Sequence, residues 1–272
     1  VGFPESKSGS EIKILEEMFN PEEAEIAIEL SMLPEPASKV FPRVKHFIGS
    51  VAELENKLDK MFSKGLIFGG KILSDDPGRK LYSNAYYIIG MHEMHVNNLT
   101  KNMMINTIDY ALNTYYKEYN RLGIPAQMRT VPVQKSIIRN NYTATYDDIK
   151  ALIQNSKGSV LLINCVCKQG MDLVGIPCKV TEHRETCMVL NVYADSFKNM
   201  VDGKSISKEE ALSLVHTFEE KGLIIQPENN RNPEYICFCC GCCCGILNML
   251  KRFPKPAEYY VSNYYATVDT EV

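Results

Sequence analysis

Residues 235–245 read Tyr-Ile-Cys-Phe-Cys-Cys-Gly-Cys-Cys-Cys-Gly, a run that places six cysteines within eight positions and decides what the second half of the chain is built around. Four more cysteines precede this run, so that all ten in the chain lie between residues 165 and 244. Several thiolates in one loop repel one another unless a metal centre neutralises them, and loops of cysteine thiolates are what holds iron–sulfur clusters. The pattern therefore predicts a thiolate-bound inorganic cofactor in this half of the chain.

Two other uses of cysteine compete with an iron–sulfur cluster. A structural zinc site also takes four thiolates, but its usual signature is two separate C-x2-C pairs. In this chain such pairs overlap in a single run, as Cys237/Cys240, Cys239/Cys242 and Cys240/Cys243. Disulfides are disfavoured in a reducing compartment, and adjacent cysteines do not easily pair with each other. An iron–sulfur cluster is thus the leading prediction, with zinc open as an alternative.

We expect one or two [4Fe–4S] clusters, which together need at most about eight thiolates. The predicted metal ligands are Cys165, Cys167, Cys178, Cys187, Cys237, Cys239, Cys240, Cys242 and Cys243. The first four form the more separable ligand set, while the register of the second block is undecided. One cluster shared by both blocks fits the pattern equally well. Cys244 is the expected spare thiol, because it should lie deepest in the helix that follows the run.

Three further residues are predicted to contact the cofactor. Lys168 could donate hydrogen bonds to sulfur or offset the charge of a cluster, although an exposed loop lysine has the same sequence pattern. Gly241 and Gly245 are expected to permit the tight backbone turns that wrap a cluster. His183, in the loop between Cys178 and Cys187, is a less favoured fourth ligand.

Three stretches, 165–168 (Cys-Val-Cys-Lys), 185–187 (Glu-Thr-Cys) and 232–244 (Asn-Pro-Glu-Tyr followed by the cysteine run), resemble a family of bacterial and archaeal 4Fe–4S ferredoxin-type proteins. The opening Gly-Phe-Pro, the N-terminal helical part and 206–212 (Ile-Ser-Lys-Glu-Glu-Ala-Leu) match as well, so the resemblance spans nearly the whole chain. It implies iron–sulfur binding. An arginine usually follows Cys-x-Cys in that family, and Lys168 lacks its bidentate geometry. Family members continue past a segment like 266–269 (Ala-Thr-Val-Asp) into a tandem C-x2-C-x2-C ferredoxin module, which these 272 residues do not include.

Composition and charge argue against several classes of function. The chain is 45% hydrophobic and 23% charged, as in ordinary globular proteins. A net charge of −3 and a pI near 6.0 provide no global basic field for nucleic acid or anionic lipid. Apolar runs such as 160–163 fall far short of the ~20 residues that cross a bilayer, and we find no secretion signal. We therefore expect a cytoplasmic protein without membrane insertion.

The spacing of helix caps and apolar residues predicts an α+β fold in three parts. Residues 1–95 read as three helices and a hairpin, the outline of a winged-helix-like module. Residues 96–145 are expected to form a connecting long helix (97–122) and a short strand (128–133). Residues 146–272 are expected to form a cysteine-rich α+β iron–sulfur domain.

Local signals support this order. Asn20, Ser50 and Ser207 each begin a capping box, with glutamate three residues later. Residues 74–78 (Ser-Asp-Asp-Pro-Gly) predict the hairpin turn, and the apolar run 160–163 predicts a buried strand that leads directly into the first cysteines. A helix is expected from 146 to 153 and another after Gly245.

The leading functional hypothesis is electron transfer to a partner oxidoreductase, and the chain reads more as an electron carrier or oxidoreductase subunit than as a stand-alone catalyst. The main rival is a redox-sensing regulator in which a cluster controls a DNA-binding winged helix. Its candidate recognition helix, 50–64, carries three lysines against three acidic residues, so we do not expect nucleic acid as a partner. A homo-oligomer stays open. His92 and His95 lie three residues apart rather than four, which does not favour a zinc site.

Overall fold

The computed structural model describes residues 3–70, 79–123, 126–133, 147–198, 200–265, 267–268 and 270. Helices are combined with antiparallel sheets, so the predicted α+β fold class is confirmed. The chain divides into two compact units. The first comprises Val1–Leu122, Gln169–Ile176 and Ser196–Asp202, and the second comprises Gly123–Lys168, Pro177–Asp195 and Gly203–Val272. None of the helices in the described ranges combines the length and the apolar character that crossing a bilayer requires.

The helices are α1 (Ser10–Met18), α2 (Pro21–Ile28), α3 (Ala37–Val44), α4 (Val51–Ser63), α5 (His92–Met94), α6 (Lys101–Tyr110), α7 (Tyr116–Leu122), α8 (Ile149–Asn155), α9 (Val166–Leu173), α10 (Asn191–Phe197), α11 (Lys208–Glu220) and α12 (Gly245–Leu250). The strands are β1 (Ile67–Gly70), β2 (Leu81–Asn84), β3 (Val160–Asn164), β4 (Glu185–Val189), β5 (Gly203–Ile206), β6 (Ile224–Pro227) and β7 (Tyr235–Cys239).

The first unit begins with four helices, α1 to α4, followed by the antiparallel pair β1 and β2. The capping box at Asn20 forms both of its hydrogen bonds. In α4, Leu54, Leu58 and Met61 are buried, as their spacing predicts for one face of an amphipathic helix. The winged-helix-like label stays a prediction, and the predicted hairpin turn at 74–78 lies outside the described residues.

The predicted long helix after residue 97 is present as α6, a π-helical turn at Ala111–Tyr115, and α7. These segments follow one another directly from Lys101 to Leu122. They belong to the first unit, which therefore extends beyond the predicted module boundary at residue 95.

The second unit contains a five-stranded antiparallel sheet with the strand order β5-β3-β4-β7-β6. Residues Val160 to Ile163 of β3 are fully buried, as the apolar run predicts. Helix α11 begins with the predicted capping box at Ser207. Its Phe218 packs against Phe238 of β7 with ring centroids 4.8 Å apart, so α11 covers one face of the sheet at this strand.

Two elements, near residues 130 and 150, are shorter in the structure than predicted. The predicted strand 128–133 appears as isolated bridges, including Val131 to Ile225 of β6. The predicted helix 146–153 begins at Ile149, because the side chain of Asp148 accepts hydrogen bonds from the backbone amides of Lys150 and Ala151. Residue 146 lies outside the described residues.

Candidate metal centre

Four thiols converge in the second unit. The sulfur atoms of these four residues all lie within 4.8 Å of one another. Cys178 Sγ lies 3.5 Å from Cys240 Sγ and 3.8 Å from Cys242 Sγ. Cys242 Sγ lies 3.5 Å from Cys240 Sγ and 3.6 Å from Cys243 Sγ. We call Cys178, Cys240, Cys242 and Cys243 the four-thiol group, and this arrangement can bind a metal.

The remaining six thiols form a connected series, which we call the six-thiol group: Cys165, Cys167, Cys244, Cys239, Cys237 and Cys187. Cys187 Sγ lies 3.9 Å from Cys237 Sγ. The series continues from Cys237 to Cys239 and from Cys239 to Cys244, whose thiols lie close enough to shift the pKa of one another. The same influence joins Cys244 to Cys167 and Cys167 to Cys165. All ten cysteines are described, and all are free thiols.

Strand pairing explains how β4 and β7 bring part of the six-thiol group together. Cys187 and Cys237 are direct partners in the antiparallel pairing of β4 with β7. Residues two apart on a strand point to the same face, so Cys239 lies on the same face as Cys237. Phe238, between them, points to the opposite face, where α11 packs. The sheet register therefore sets three thiols of the six-thiol group side by side.

Neighbours in the cysteine run belong to different thiol groups. Cys239 is the last residue of β7 and belongs to the six-thiol group, whereas Cys240 directly after it belongs to the four-thiol group. The same change occurs between Cys243 and Cys244. Two adjacent pairs of cysteines are thus divided between the two groups.

Lys168 is a buried cation close to both groups. Its side chain is 1% exposed, and its Nζ donates to Thr186 Oγ1 at 2.6 Å and to the carbonyl oxygen of Phe238 at 2.9 Å. Burial opposes the charge of this ammonium, but thiolates of both groups outweigh that cost and raise its pKa. The thiolates with this effect are those of Cys165, Cys240, Cys239 and Cys178. A buried cation is thus placed where it favours ionised thiols.

The thiols of the four-thiol group differ in acidity. Burial acts to raise the pKa of Cys178, but the backbone amides of Val180 and Thr181 and the thiols of Cys240 and Cys242 lower it to about 7. Burial raises the pKa of Cys240 to about 11 and also raises the pKa of Cys243. Because metals bind thiolates, loading of this group must displace protons.

The six-thiol group also contains preferred sites of ionisation. Hydrogen bonds from the thiols of Cys167 and Cys239 lower the pKa of Cys244 to about 5 despite its burial. Hydrogen bonds from the thiols of Cys187 and Cys239 likewise hold the pKa of Cys237 well below its usual range. The pKa values of two of these neighbours, Cys167 and Cys239, are correspondingly raised.

The predicted ligand sets are grouped differently in the structure. Cys165, Cys167 and Cys187 lie in the six-thiol group, but Cys178 lies with the second cysteine block. The predicted spare, Cys244, is the N-cap of α12 rather than a residue deep within that helix, and its Sγ accepts a hydrogen bond from the Leu247 amide at 3.5 Å. Its thiol contacts place it within the six-thiol group instead of apart from it.

Of the other predicted site residues, Lys168 lies among the thiols, whereas the two glycines and His183 lack the features expected of them. Lys168 lies at the centre of the sulfur-rich region, and its burial excludes the alternative of an exposed loop lysine. Gly241 and Gly245 do not have the left-handed backbone conformation that would require glycine. A Cβ at Gly241 would meet only the flexible end of Lys251, at 3.2 Å, and one at Gly245 would meet nothing within 4 Å. His183 is exposed, and its ring lies edge-on to Phe218.

Sequence reasoning missed two groups of hydrogen-bonding partners. Thr186 is fully buried and accepts the hydrogen bond from Lys168. A polar residue within the otherwise apolar segment 186–189 was the available signal, because a buried hydroxyl needs a partner. The backbone amides of Val180 and Thr181, which lower the pKa of Cys178, leave no signature in residue identity.

Comparisons with known proteins name no relative. No protein-family model, no curated protein and no solved structure matches this chain.

Proposed function

We propose that this chain is an iron–sulfur protein that transfers electrons, with a [4Fe–4S] cluster held by Cys178, Cys240, Cys242 and Cys243. The observation that supports this most strongly is the convergence of four thiols beside a buried ammonium that feels thiolates of both groups. A bound cluster would supply the capacity to accept and release single electrons. The resemblance to 4Fe–4S ferredoxin-type proteins supports the same function.

The protein environment matches the charge of such a cofactor. Four thiolates carry four negative charges, and a buried charge must be compensated or neutralised. Lys168 provides a fixed positive charge within the protein, and the metal would provide the rest. The ammonium also favours the more reduced form of any nearby centre, because reduction adds negative charge.

The architecture favours a redox role over a purely structural one. Structural zinc sites with four protein ligands have no open position, and they typically hold together domains that lack a sufficient core. The second unit has its own sheet of five strands, with buried apolar residues on β3 and β4 and an aromatic contact between α11 and β7. A closed metal site is not needed to create this core, which supports a redox use of the sulfur groups.

Exposure of the four-thiol group suits exchange with a partner protein. Cys178 and Cys242 are partly exposed, while Cys240 and Cys243 are buried. Ile176 and Val180, two residues to either side of Cys178, have exposed side chains. A redox partner could approach the cluster from this side without unfolding the chain.

A structural zinc ion is the second candidate, favoured by one observation. Zinc–sulfur bonds of about 2.3 Å give a regular tetrahedron with an edge of about 3.8 Å, and the sulfur–sulfur distances of 3.5 to 3.8 Å lie close to that edge. A redox-sensing DNA-binding regulator has less support. Lys57 and Lys64, at the candidate recognition helix, are paired with Glu22 and Glu23.

Purification without oxygen, followed by iron, zinc and acid-labile sulfide analysis, tests the proposal. We expect iron and sulfide in equal amounts, a broad absorbance near the blue edge of the visible range, and bleaching by dithionite. The variant Cys240→Ala/Cys242→Ala should lose about four iron ions per chain, the content of one cube. His183→Ala is the matched control and should keep all of them. Zinc without sulfide in the wild-type protein would establish the second candidate instead.

A further inference from the structure

We infer that the six-thiol group is a second iron–sulfur centre, separate from the one at the four-thiol group and close enough to it for their unpaired spins to interact. This inference rests on the proposed function, because it extends the same cofactor chemistry to a second set of residues. The six-thiol group consists of Cys165, Cys167, Cys187, Cys237, Cys239 and Cys244.

Strands β4 and β7, helix α9 and the N-cap of α12 hold five of these thiols, and the sixth, Cys165, lies between β3 and α9. The register of β4 with β7 places Cys187 opposite Cys237, and strand alternation adds Cys239 to the same face. Cys165 directly follows β3, and its backbone amide bonds to the carbonyl of Arg184 at the start of β4. The sheet therefore positions four of the six thiols, three on its strands and Cys165 directly after β3.

The contacts among the six thiols form one continuous series without a member of the four-thiol group inside it. Cys187 Sγ and Cys237 Sγ lie 3.9 Å apart, and each further thiol of the series, through Cys239, Cys244 and Cys167 to Cys165, lies close enough to the next to influence its ionisation. Four of the six thiols are buried. Buried sulfur in such quantity is costly as thiolate unless metal is bound. An iron–sulfur cluster, which takes four cysteines and tolerates further sulfur hydrogen bonds around it, fits this group.

Backbone connectivity holds the two centres close together. Members of the two groups are adjacent in sequence at two places, Cys239–Cys240 and Cys243–Cys244. Consecutive Cα atoms lie about 3.8 Å apart, so the two centres cannot be far from each other there. A single short segment of chain therefore contributes ligands to both centres.

The test compares wild-type protein with one double variant in each group, all purified without oxygen. Cys187→Ala/Cys237→Ala removes two thiols of the six-thiol group, and Cys240→Ala/Cys242→Ala is its counterpart in the other group. We expect about eight iron ions per chain in the wild type and about four in each variant. After reduction with dithionite, the wild-type electron paramagnetic resonance spectrum should be broadened by spin–spin interaction, and each variant should give a simpler spectrum of one isolated centre.

The outcomes separate this inference from the proposed function. Wild-type protein without iron and sulfide would remove both. About four iron ions in the wild type, kept by Cys187→Ala/Cys237→Ala and lost by Cys240→Ala/Cys242→Ala, would leave the proposed function standing and overturn the second centre. Two zinc ions bound by the six-thiol group would overturn it as well. If a variant fails to fold by circular dichroism, the iron content and the spin interaction of the wild type decide the question alone.

Discussion

The four-thiol group and the six-thiol group draw on the same cysteine run, but different kinds of structure position them. Three members of the six-thiol group are fixed by the register and alternation of β4 and β7. The four-thiol group is assembled from the loop that contains Cys178 and from the turn that follows β7. The difference shows how one short sequence can serve two sites, since a strand directs neighbours to opposite faces and the following turn collects the residues that remain.

A buried ion pair outside both groups tests whether they depend on the fold as a whole, and it carries the largest expected effect. Arg129 Nε lies 3.1 Å from Asp147 Oδ1, and both side chains are nearly inaccessible. Asp147→Ala removes this carboxylate from the buried guanidinium and should lower the free energy of unfolding by about 3–5 kcal/mol. Chemical denaturation of the metal-free protein measures this. At low temperature, where the variant stays folded, the iron content per chain should not change.

The matched control is Glu258→Ala, which breaks an exposed pair with Lys255. Such pairs contribute about 0–1 kcal/mol, so we expect little change. If both variants lost the same free energy of unfolding, the role assigned to the buried pair would be contradicted. Loss of iron by Asp147→Ala at low temperature would show that the sulfur groups depend on this distant contact.

Thiol reactivity in the metal-free, reduced protein should distinguish the two groups. Cys178 is partly exposed and has a pKa lowered to about 7, so its thiolate forms as the pH rises through that value. Hydrogen bonding with neighbouring thiols and burial raise the pKa of Cys165 and Cys239, which should stay protonated there. Because a thiol pKa lowered by about two units has roughly a hundredfold more thiolate below pH 7, Cys178 should be alkylated before the buried thiols of Cys165 and Cys239. Mass spectrometry of iodoacetamide-treated protein between pH 6 and 9 measures the order, and metal loading should protect Cys178.

Lys168 tests whether the two groups share one electrostatic environment. Lys168→Met removes a buried positive charge and should lower the reduction potential of each centre, because reduction is no longer favoured by that charge. One unit charge about 8 Å away is worth about 2 kcal/mol at an effective dielectric constant of about 20, which corresponds to roughly 90 mV for one electron. Redox titration measures the shift. Lys168→Arg keeps the charge and should shift the potentials less. A shift confined to one centre would assign Lys168 to that group alone.

Thr186 provides a smaller version of the same test. Its hydroxyl accepts from Lys168 Nζ at 2.6 Å in a fully buried site. Thr186→Val keeps the shape and removes the acceptor, which should lower stability by about 1–3 kcal/mol for a hydrogen bond to a charged group and change the potentials by less than Lys168→Met does. Thr186→Ser keeps the hydroxyl and should stay close to the wild type. A larger potential shift than that of Lys168→Met would mean that Thr186 acts on the centres by another route.

Local signals in the sequence predicted much of the fold. The capping boxes at Asn20 and Ser207 are present because they involve residues three positions apart, whose geometry the chain itself determines. The buried strand at Val160 likewise follows from a continuous apolar run. The unit to which the helical segments between Lys101 and Leu122 belong, by contrast, depends on packing between distant segments.

The division of the cysteines was beyond the reach of sequence for the same reason. The pairing of Cys187 with Cys237 depends on strand register over 50 residues, and no local pattern specifies it. Cys178 joins the second block because the chain folds back over a long loop. The identity of Lys168 as a candidate was accessible from its position after Cys167, but its burial and its hydrogen bond to Thr186 required the assembled sheet.

Acid-labile sulfide in anaerobically purified wild-type protein tests the central claim most directly, since neither zinc thiolates nor free thiols release it. The account predicts about eight sulfide ions per chain, matched by an equal amount of iron, from two cubes. Protein that contains all ten thiols, is folded, and releases no sulfide would contradict it.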